Sequence, residues 1–133
     1  MKLDAFFVCE QVVRRADNSM DVARFGIKNV NIPQLPAQIQ LGVVCNISFT
    51  TAEIGDKIVK FILLPPDGRP LMEIQLVVTI RPNRTEWLQA GQMPLPFQVE
   101  GEHALIVTID GNEVGRWPLA ARLIHPALPP TAQ

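Results

Sequence analysis

Two segments of the chain alternate between apolar and polar side chains, and they are the clearest predictors of its structure. In residues 38–50 the odd-numbered positions are apolar, and they are Ile39, Leu41, Val43, Cys45, Ile47 and Phe49. In residues 72–81 the even-numbered positions are apolar, and they are Met72, Ile74, Leu76, Val78 and Ile80. The odd-numbered positions are polar except for Val77. Since successive side chains of a strand point to opposite faces, each segment predicts a strand with one buried and one exposed face.

Shorter apolar runs predict the remaining strands at residues 4–13, 20–30, 57–64, 103–109 and 113–124, with residues 95–99 as an eighth. Turn residues separate them, notably the stretch 65–70 and the triplet Asp110-Gly111-Asn112. Gly26 lies inside a predicted strand, where glycine indicates a bulge or a close backbone approach. Short strands at this spacing predict an all-β fold, a single-domain antiparallel β-sandwich of about 7–8 strands over residues 1–124. Residues 125–133 are predicted to form a proline-rich flexible tail.

The order of these features resembles that of one protein family. The features are the strand FFVCEQV, the turn ADNSM, the crossing NIPQLPAQIQLGVVCNISF, the hairpin LLPPDGRPLMEIQL and the closing hairpin EGEHALIVTIDGNEVGRWPL. The family consists of small stand-alone bacterial proteins of unknown function with an immunoglobulin-like β-sandwich. The resemblance covers nearly the whole chain and implies the fold. It brings no active site with it.

Composition narrows the classes of function. The chain has 133 residues, 47% hydrophobic and 19% charged, with a net charge of −1. Because no basic stripe is present, we expect no nucleic-acid partner. No segment approaches the roughly 20 apolar residues of a membrane span, and the N-terminus makes a poor signal peptide, so we expect a cytoplasmic protein without a membrane partner. Cys9 and Cys45 are then expected as reduced, buried thiols that are not bridged.

The residues that carry catalysis do not form a recognisable constellation. Ser19 lies in a polar turn and Ser48 on a strand, without a nucleophile elbow. Both cysteines fall on apolar parities, where a thiol is inert. The group Glu100-Gly101-Glu102-His103 is favoured as a solvated turn over a metal site. We expect no catalytic residue, metal or cofactor. A catalytic pair of carboxylates that only the fold would bring together is left as an alternative.

One connection carries residues typical of recognition. Residues 81–92 form the longest predicted loop, and it contains Arg81, Arg84 and Trp87. Two arginines and a tryptophan are common at binding interfaces, so these residues are a candidate binding loop. The favoured alternative is a helical turn in which Trp87 plugs one end of the sandwich and the arginines are solvated.

Some predicted strands carry more apolar side chains than a two-layer sandwich needs. Ile58, Ile62 and Leu64 lie opposite the apolar face of their strand, and Phe6 and Val8 lie opposite Phe7. These five residues are a candidate interface, unless loops or a bulge cover them.

Two functions of different classes follow from these features. The leading one is a non-enzymatic protein-interaction module that binds a protein partner or itself as a homodimer. The alternative is a small-molecule sensor or binding domain that uses the end loops, with Trp87 or Trp117 and Arg84 lining a pocket. An enzyme is the third possibility, which would need a pocket holding a histidine and a carboxylate.

Overall fold

The computed structural model describes residues 1–17 and 19–124 and folds them into nine β-strands and a single-turn 3-10 helix at Thr51–Glu53. The predicted tail at 125–133 lies outside the described residues. No helix in the described part of the chain has the length and apolar character needed to cross a membrane. The strands are β1 (Lys2–Arg14), β2 (Met20–Phe25), β3 (Asn29–Ile32), β4 (Ala37–Ser48), β5 (Gly55–Leu64), β6 (Met72–Ile80), β7 (Glu86–Phe97), β8 (Gly101–Ile109) and β9 (Asn112–Leu123).

The nine strands form two sheets. One has four strands in the order β2-β1-β4-β7, and the other has five in the order β3-β9-β8-β5-β6. Neighbouring strands are antiparallel, except that β3 runs parallel to β9. The predicted all-β fold is confirmed.

A single large core lies between the two sheets, as expected for a sandwich. It receives fully buried side chains from both, among them Val8, Val43, Ile47, Phe61, Leu63, Leu95, Phe97, Leu105 and Leu119. The alternating apolar positions of β4 and β5 point into this core. The parity argument therefore identified the inner face of these strands correctly.

The predicted strand 20–30 is in fact two strands that belong to different sheets. β2 pairs with β1, whereas β3 pairs with β9. Between them Gly26 has a φ of +79°, and the amides of Gly26 and Ile27 both donate to the carbonyl of Val8, at 3.1 and 2.9 Å. The prediction of a bulge or a close backbone approach inside a strand was wrong, since Gly26 lies between β2 and β3 with nothing within 4 Å of its Cβ position, and it makes the left-handed turn by which the chain changes sheets.

β7 is the strand that the sequence pattern missed most, since residues 81–92 were predicted as a loop and only residues 95–99 as a strand. It contains Pro94 and Pro96. The amide of Phe49 donates to the carbonyl of Thr85 at 2.7 Å, which continues the β4–β7 register. Odd-numbered residues of β7 therefore bond to β4, and even-numbered ones point to the open edge. A proline there loses no ladder hydrogen bond, so an edge strand tolerates both prolines.

A second, smaller apolar cluster covers the outer face of the four-stranded sheet. Cys9, Val12 and Val44 are buried there, and they are joined by Phe7, Met20, Val22, Leu88 and Ala90. The end of β1 crosses over this face, where the amide of Val12 donates to Oε1 of Gln92 on β7 at 2.9 Å. This cluster explains why β1 is apolar on both faces.

Candidate functional site at the open side of the sandwich

The candidate site lies where the free edges of the two sheets approach each other. β6 ends the five-stranded sheet and β7 ends the four-stranded sheet, and the two strands touch. Between them is a cleft of about 340 Å³. Its lining comes from the end of β6, the following turn and the start of β7: Val77, Val78, Thr79, Ile80, Arg81, Arg84, Glu86 and Trp87.

The cleft brings together the three residues of the candidate binding loop, although the loop itself is shorter than expected. The amide of Arg81 donates to the carbonyl of Arg84 at 3.3 Å, and the amide of Arg84 donates back to the carbonyl of Arg81 at 2.9 Å. The predicted helical turn is therefore wrong. A tight turn ends at Thr85, and residues 86–92 belong to β7.

Trp87 belongs both to the core and to the cleft. It pairs with Ile47 of β4, and its ring centroid lies 6.4 Å from that of Phe61 in the opposite sheet. The indole thus closes one side of the core, much as the plug hypothesis expected, while it also lines the cleft. A side chain fixed in this way forms a rigid apolar wall for a bound group.

The charges around the cleft are mainly basic. A neighbouring depression of about 410 Å³ shares Arg84, Glu86 and Trp87 and adds Arg14 from the end of β1. None of the ion pairs among the described residues involves Arg14, Arg81 or Arg84. Glu86, the one acidic residue lining these depressions, accepts a hydrogen bond from Nδ2 of Asn46 at 3.0 Å. Guanidinium groups bind carboxylates and tetrahedral oxyanions such as phosphate through paired hydrogen bonds.

The outer face of β5 and β6 next to the cleft is partly apolar. Ile58 and Val77 lie directly opposite each other, 41% and 65% exposed. Ile62 is half-buried beside the buried Ile106, and Leu64 is half-buried in a depression of about 550 Å³ with Pro65, Pro66, Ala104 and Pro118. The exposed part of the candidate interface is therefore Ile58, extended by Val77.

Phe6 and Val8 do not belong to this surface. They pair with Cys45 and Val43 and point into the main core, where Val8 is fully buried. The prediction that placed them at an interface was wrong. The other face of β1, which carries Phe7 and Cys9, is covered by the smaller cluster.

Trp117 lies away from the cleft, at the opposite end of the five-stranded sheet. Its Nε1 donates to the carbonyl of Ile27 at 2.7 Å, and Nζ of Lys28 lies 5.5 Å from its ring centroid. It fastens the crossing between β2 and β3 to β9. Of the two tryptophans considered for a ligand pocket, only Trp87 lies with Arg84.

Comparison with known proteins identifies the family of the chain. A family model described as a family of unknown function matches residues 4–122. The chain belongs to the DUF6941 family. The expected resemblance to a family of unknown function is thereby confirmed, and the matched region includes the cleft.

Two solved structures resemble this DUF6941 domain at low sequence identity. An immunoglobulin-like protein from Pseudomonas aeruginosa has a TM-score of 0.42 and 15% identity, covering 91% of this chain and 95% of that one. The alkylpurine DNA glycosylase AlkC of Pseudomonas fluorescens, bound to DNA containing an abasic site analog, has a TM-score of 0.39 and 14% identity. That match covers 71% of this chain and 28% of the glycosylase. No curated protein matches the chain.

The two cysteines of the DUF6941 domain are buried, and its two serines are bonded to carboxylates. Cys9 and Cys45 are free and buried, and burial raises the pKa of Cys45 to about 12 and that of Cys9 above its usual value. The hydroxyl of Ser48 donates to Asp4, and that of Ser19 donates to Asp17 at 2.5 Å. Neither serine has a histidine partner in these bonds.

The side chains of Glu100, Glu102 and His103 point in different directions at the start of β8 and do not converge. Oε1 of Glu100 accepts a hydrogen bond from the amide of Leu123 at 2.5 Å, and Glu102 is exposed on the outer face. His103 points the other way, buried against Phe97 with Nδ1 2.9 Å from the carbonyl of Gly101. Within residues 1–17 and 19–124, no group of three or more His, Cys, Asp or Glu side chains is placed to hold a metal ion.

Sequence reasoning missed three contributors to the site: Arg14, Glu86 and Val77. Arg14 is about seventy positions from Arg84, and only the fold joins them. Val77 did leave a signal, since it alone interrupts the polar parity of its strand. Alone it would be ordinary, but with the exposed Ile58 directly opposite it forms a contiguous apolar patch, which is the kind of surface that contacts a partner.

Proposed function

We propose that this domain is a non-enzymatic protein-interaction module that self-associates through the open side of its sandwich. The observation that carries the proposal is the exposure of Ile58 and Val77, which lie side by side on β5 and β6. Fully burying an exposed Ile or Val side chain is favourable by roughly 1.5–3 kcal/mol, and association can gain the part of this that corresponds to the fraction still exposed in Ile58 and Val77. A net charge of −1 opposes association only weakly.

The experiment is sedimentation velocity over a range of micromolar concentrations. The wild type should sediment as a dimer that dissociates on dilution, and Val77→Lys should raise the dissociation constant at least tenfold. Val13→Lys is the matched control, because Val13 is also an exposed valine but lies on the other sheet. Ile62→Lys is less suitable, since Ile62 packs beside the buried Ile106 and its loss would also destabilise the fold. A wild type that stays monomeric throughout contradicts the proposal.

A second candidate function is the binding of a small anionic molecule in the cleft. It is supported by the convergence of Arg81, Arg84 and Trp87 around about 340 Å³. The guanidinium groups would bind the anion and the indole would contact its apolar part.

Tryptophan fluorescence tests this candidate. In a Trp117→Phe variant, Trp87 is the one remaining tryptophan and the source of the measured fluorescence. Titration with succinate or sulfate should change its emission in a saturable way. The same titration of an Arg84→Gln variant should show at least tenfold weaker binding. An emission that both anions leave unchanged at millimolar concentration argues against this function and leaves the first one standing.

A further inference from the structure

The hydrogen bonds around β5 show which backbone groups of β6 are open. The carbonyl of Ile58 accepts from the amide of Asp110 at 2.8 Å, so even-numbered residues of β5 bond toward β8. The carbonyl of Leu63 accepts from the amide of Leu71 at 2.9 Å, so odd-numbered residues bond toward β6. In the β5–β6 register odd residues of β5 face even residues of β6. The amides and carbonyls of Glu73, Gln75, Val77 and Thr79 therefore point to the free edge.

This edge lacks the protection that the edge of β7 has. On β7, Pro94 and Pro96 point toward the open side and cannot donate a hydrogen bond there. β6 contains no proline, and it presents a regular edge from Glu73 to Thr79. The turn that joins Arg81 to Arg84 closes the edge immediately beyond Thr79. Within the part of the chain that the structure describes, no strand pairs with this edge, and a long edge without proline or bulge is a template for pairing with another strand.

We propose that two copies of the chain pair β6 with β6 in antiparallel orientation, which makes one continuous ten-stranded sheet across the dimer. In the register that we infer, Glu73 pairs with Thr79 of the second copy, and Gln75 pairs with Val77 of the second copy. This is the register in which all four open residues of each strand find a partner. It forms about eight hydrogen bonds around a two-fold axis. The inference rests on the self-association proposed above and specifies its geometry.

The side chains of the two strands are complementary in this register. On the outer face Val77 is covered by Gln75 of the second copy, and Glu73 lies diagonal to Arg81 of the second copy. Diagonal neighbours on paired strands are within reach of long side chains. Because Arg81 has no carboxylate partner among the ion pairs of the described residues, it is available for this contact.

On the inner face the half-buried apolar row of β6 would meet itself. Leu76 faces Leu76 of the second copy at the two-fold axis, and Ile74 faces Val78 of the second copy. In the single chain these side chains pack against the main core but are only half-buried. Pairing covers the exposed side of these side chains, so the same contact buries apolar side chains on both faces of β6.

Disulfide trapping tests the register. Leu76→Cys places one thiol on each side of the two-fold axis in a non-hydrogen-bonded pair, where Cα atoms lie about 4.5 Å apart, within disulfide range. Mild oxidation should convert most of the variant to a covalent dimer. Ile74→Cys is the matched control and should not cross-link, because its thiol would face Val78. The native cysteines are buried and should stay reduced.

Hydrogen exchange of the wild type provides a measurement that needs no substitution. The amides of Glu73, Gln75, Val77 and Thr79 should exchange at least tenfold more slowly at high than at low protein concentration. A protein that remains monomeric overturns both the proposed function and this inference. A dimer in which these amides show no concentration dependence, or in which Ile74→Cys cross-links as well as Leu76→Cys, overturns the edge pairing alone.

Discussion

The environment of Cys45 could be predicted from the alternation of apolar and polar positions alone. It lies on the apolar face of β4, and the structure buries it fully in the main core. Desolvation raises its pKa from 9.0 to about 12, because the thiolate is unfavourable in an apolar environment. The prediction that Cys45 is a buried thiol is confirmed, and it has a consequence for stability at alkaline pH.

We predict that Cys45→Val flattens the decline of stability between pH 9 and pH 12. In the wild type the unfolded chain can ionise this thiol above pH 9 while the folded chain cannot. The stabilising contribution is therefore complete below pH 9 and is lost as the pH rises toward 12. A pKa difference of about three is worth on the order of 4 kcal/mol at most. Urea unfolding of both proteins at several pH values measures the difference, and parallel curves would contradict the assignment.

Gly26 shows what parity cannot reveal. Its φ of +79° is needed for the change of sheet, and nothing lies within 4 Å of the position that a Cβ would occupy. Any cost of substitution therefore comes from the backbone rather than from a clash. The sequence indicated that this glycine was unusual but suggested the wrong cause, because a bulge and a sheet crossing look alike in one dimension.

We predict that Gly26→Ala lowers the free energy of unfolding by about 1–2 kcal/mol. Gly26→Asn should cost clearly less, because asparagine tolerates the left-handed region better than alanine does. Chemical denaturation of the three proteins provides the comparison. If alanine and asparagine are equally destabilising, packing rather than backbone conformation controls this position.

At the scale of elements, the sequence predicted the inner strands and the edge strand β6 well, and the edge strands β2, β3 and β7 poorly. β4, β5 and β8 each carry a long row of alternating apolar side chains, because these side chains fill the core. Residues 81–92 were predicted as a loop although β7 begins at Glu86, and whether a strand tolerates Pro94 and Pro96 depends on which of its sides is free. That side follows from the order of strands in the sheet, which a local pattern does not contain.

The crossing of β1 over β4 depends on a glycine in the middle of a strand. A Cβ on Gly42 would lie 2.6 Å from Sγ of Cys9 and 3.2 Å from the amide nitrogen of Val12. Both contacts are too close, so the end of β1 would have to move away from the sheet. The smaller apolar cluster, which includes Cys9 and Val12, would then lose part of its packing.

We predict that Gly42→Ala destabilises the domain by about 1–3 kcal/mol, as overpacking of a close contact does. Gly91→Ala is the matched control on the neighbouring strand β7, since the nearest atom to its Cβ position is 3.9 Å away, and it should change stability by less than about 0.5 kcal/mol. Adding Cys9→Ala to Gly42→Ala removes the closest atom and should recover part of the loss. Thermal unfolding of the four proteins checks this; an unchanged Gly42→Ala variant would show that β1 adapts freely.

For the whole molecule, the candidate site exists only because two sheet edges meet. Arg81, Arg84 and Trp87 are close in sequence and could be proposed together. Arg14 joins them from the far end of β1, and the free edge of β6 becomes visible only when the order of all nine strands is known. The partners of an edge are a property of the assembled sheets, so a residue pattern along the chain could suggest the site but not its geometry.

Charge exchange between two variants tests the proposed dimer as a whole. Arg81→Glu alone would place two carboxylates near each other twice in the dimer, and Glu73→Lys alone would place two cations near each other twice. In a mixture, the heterodimer restores one native pair and creates one reversed pair. Glu73 also forms an ion pair with Lys60 at 3.0 Å, but its loss in Glu73→Lys occurs within one chain and is therefore equal in homodimer and heterodimer.

We therefore predict that the mixed variants form heterodimers in preference to either homodimer. Exposed ion pairs are worth roughly 0.2–1 kcal/mol each, and the change from two repulsions to two attractions makes the preference about tenfold. The preference should disappear near 1 M salt, where the screening length falls to about 3 Å. Native mass spectrometry of differently tagged variants counts the species, and analytical ultracentrifugation follows the salt dependence. A statistical mixture at low salt would show that Glu73 and Arg81 do not meet across the interface, because the heterodimer differs from the homodimers only in these contacts.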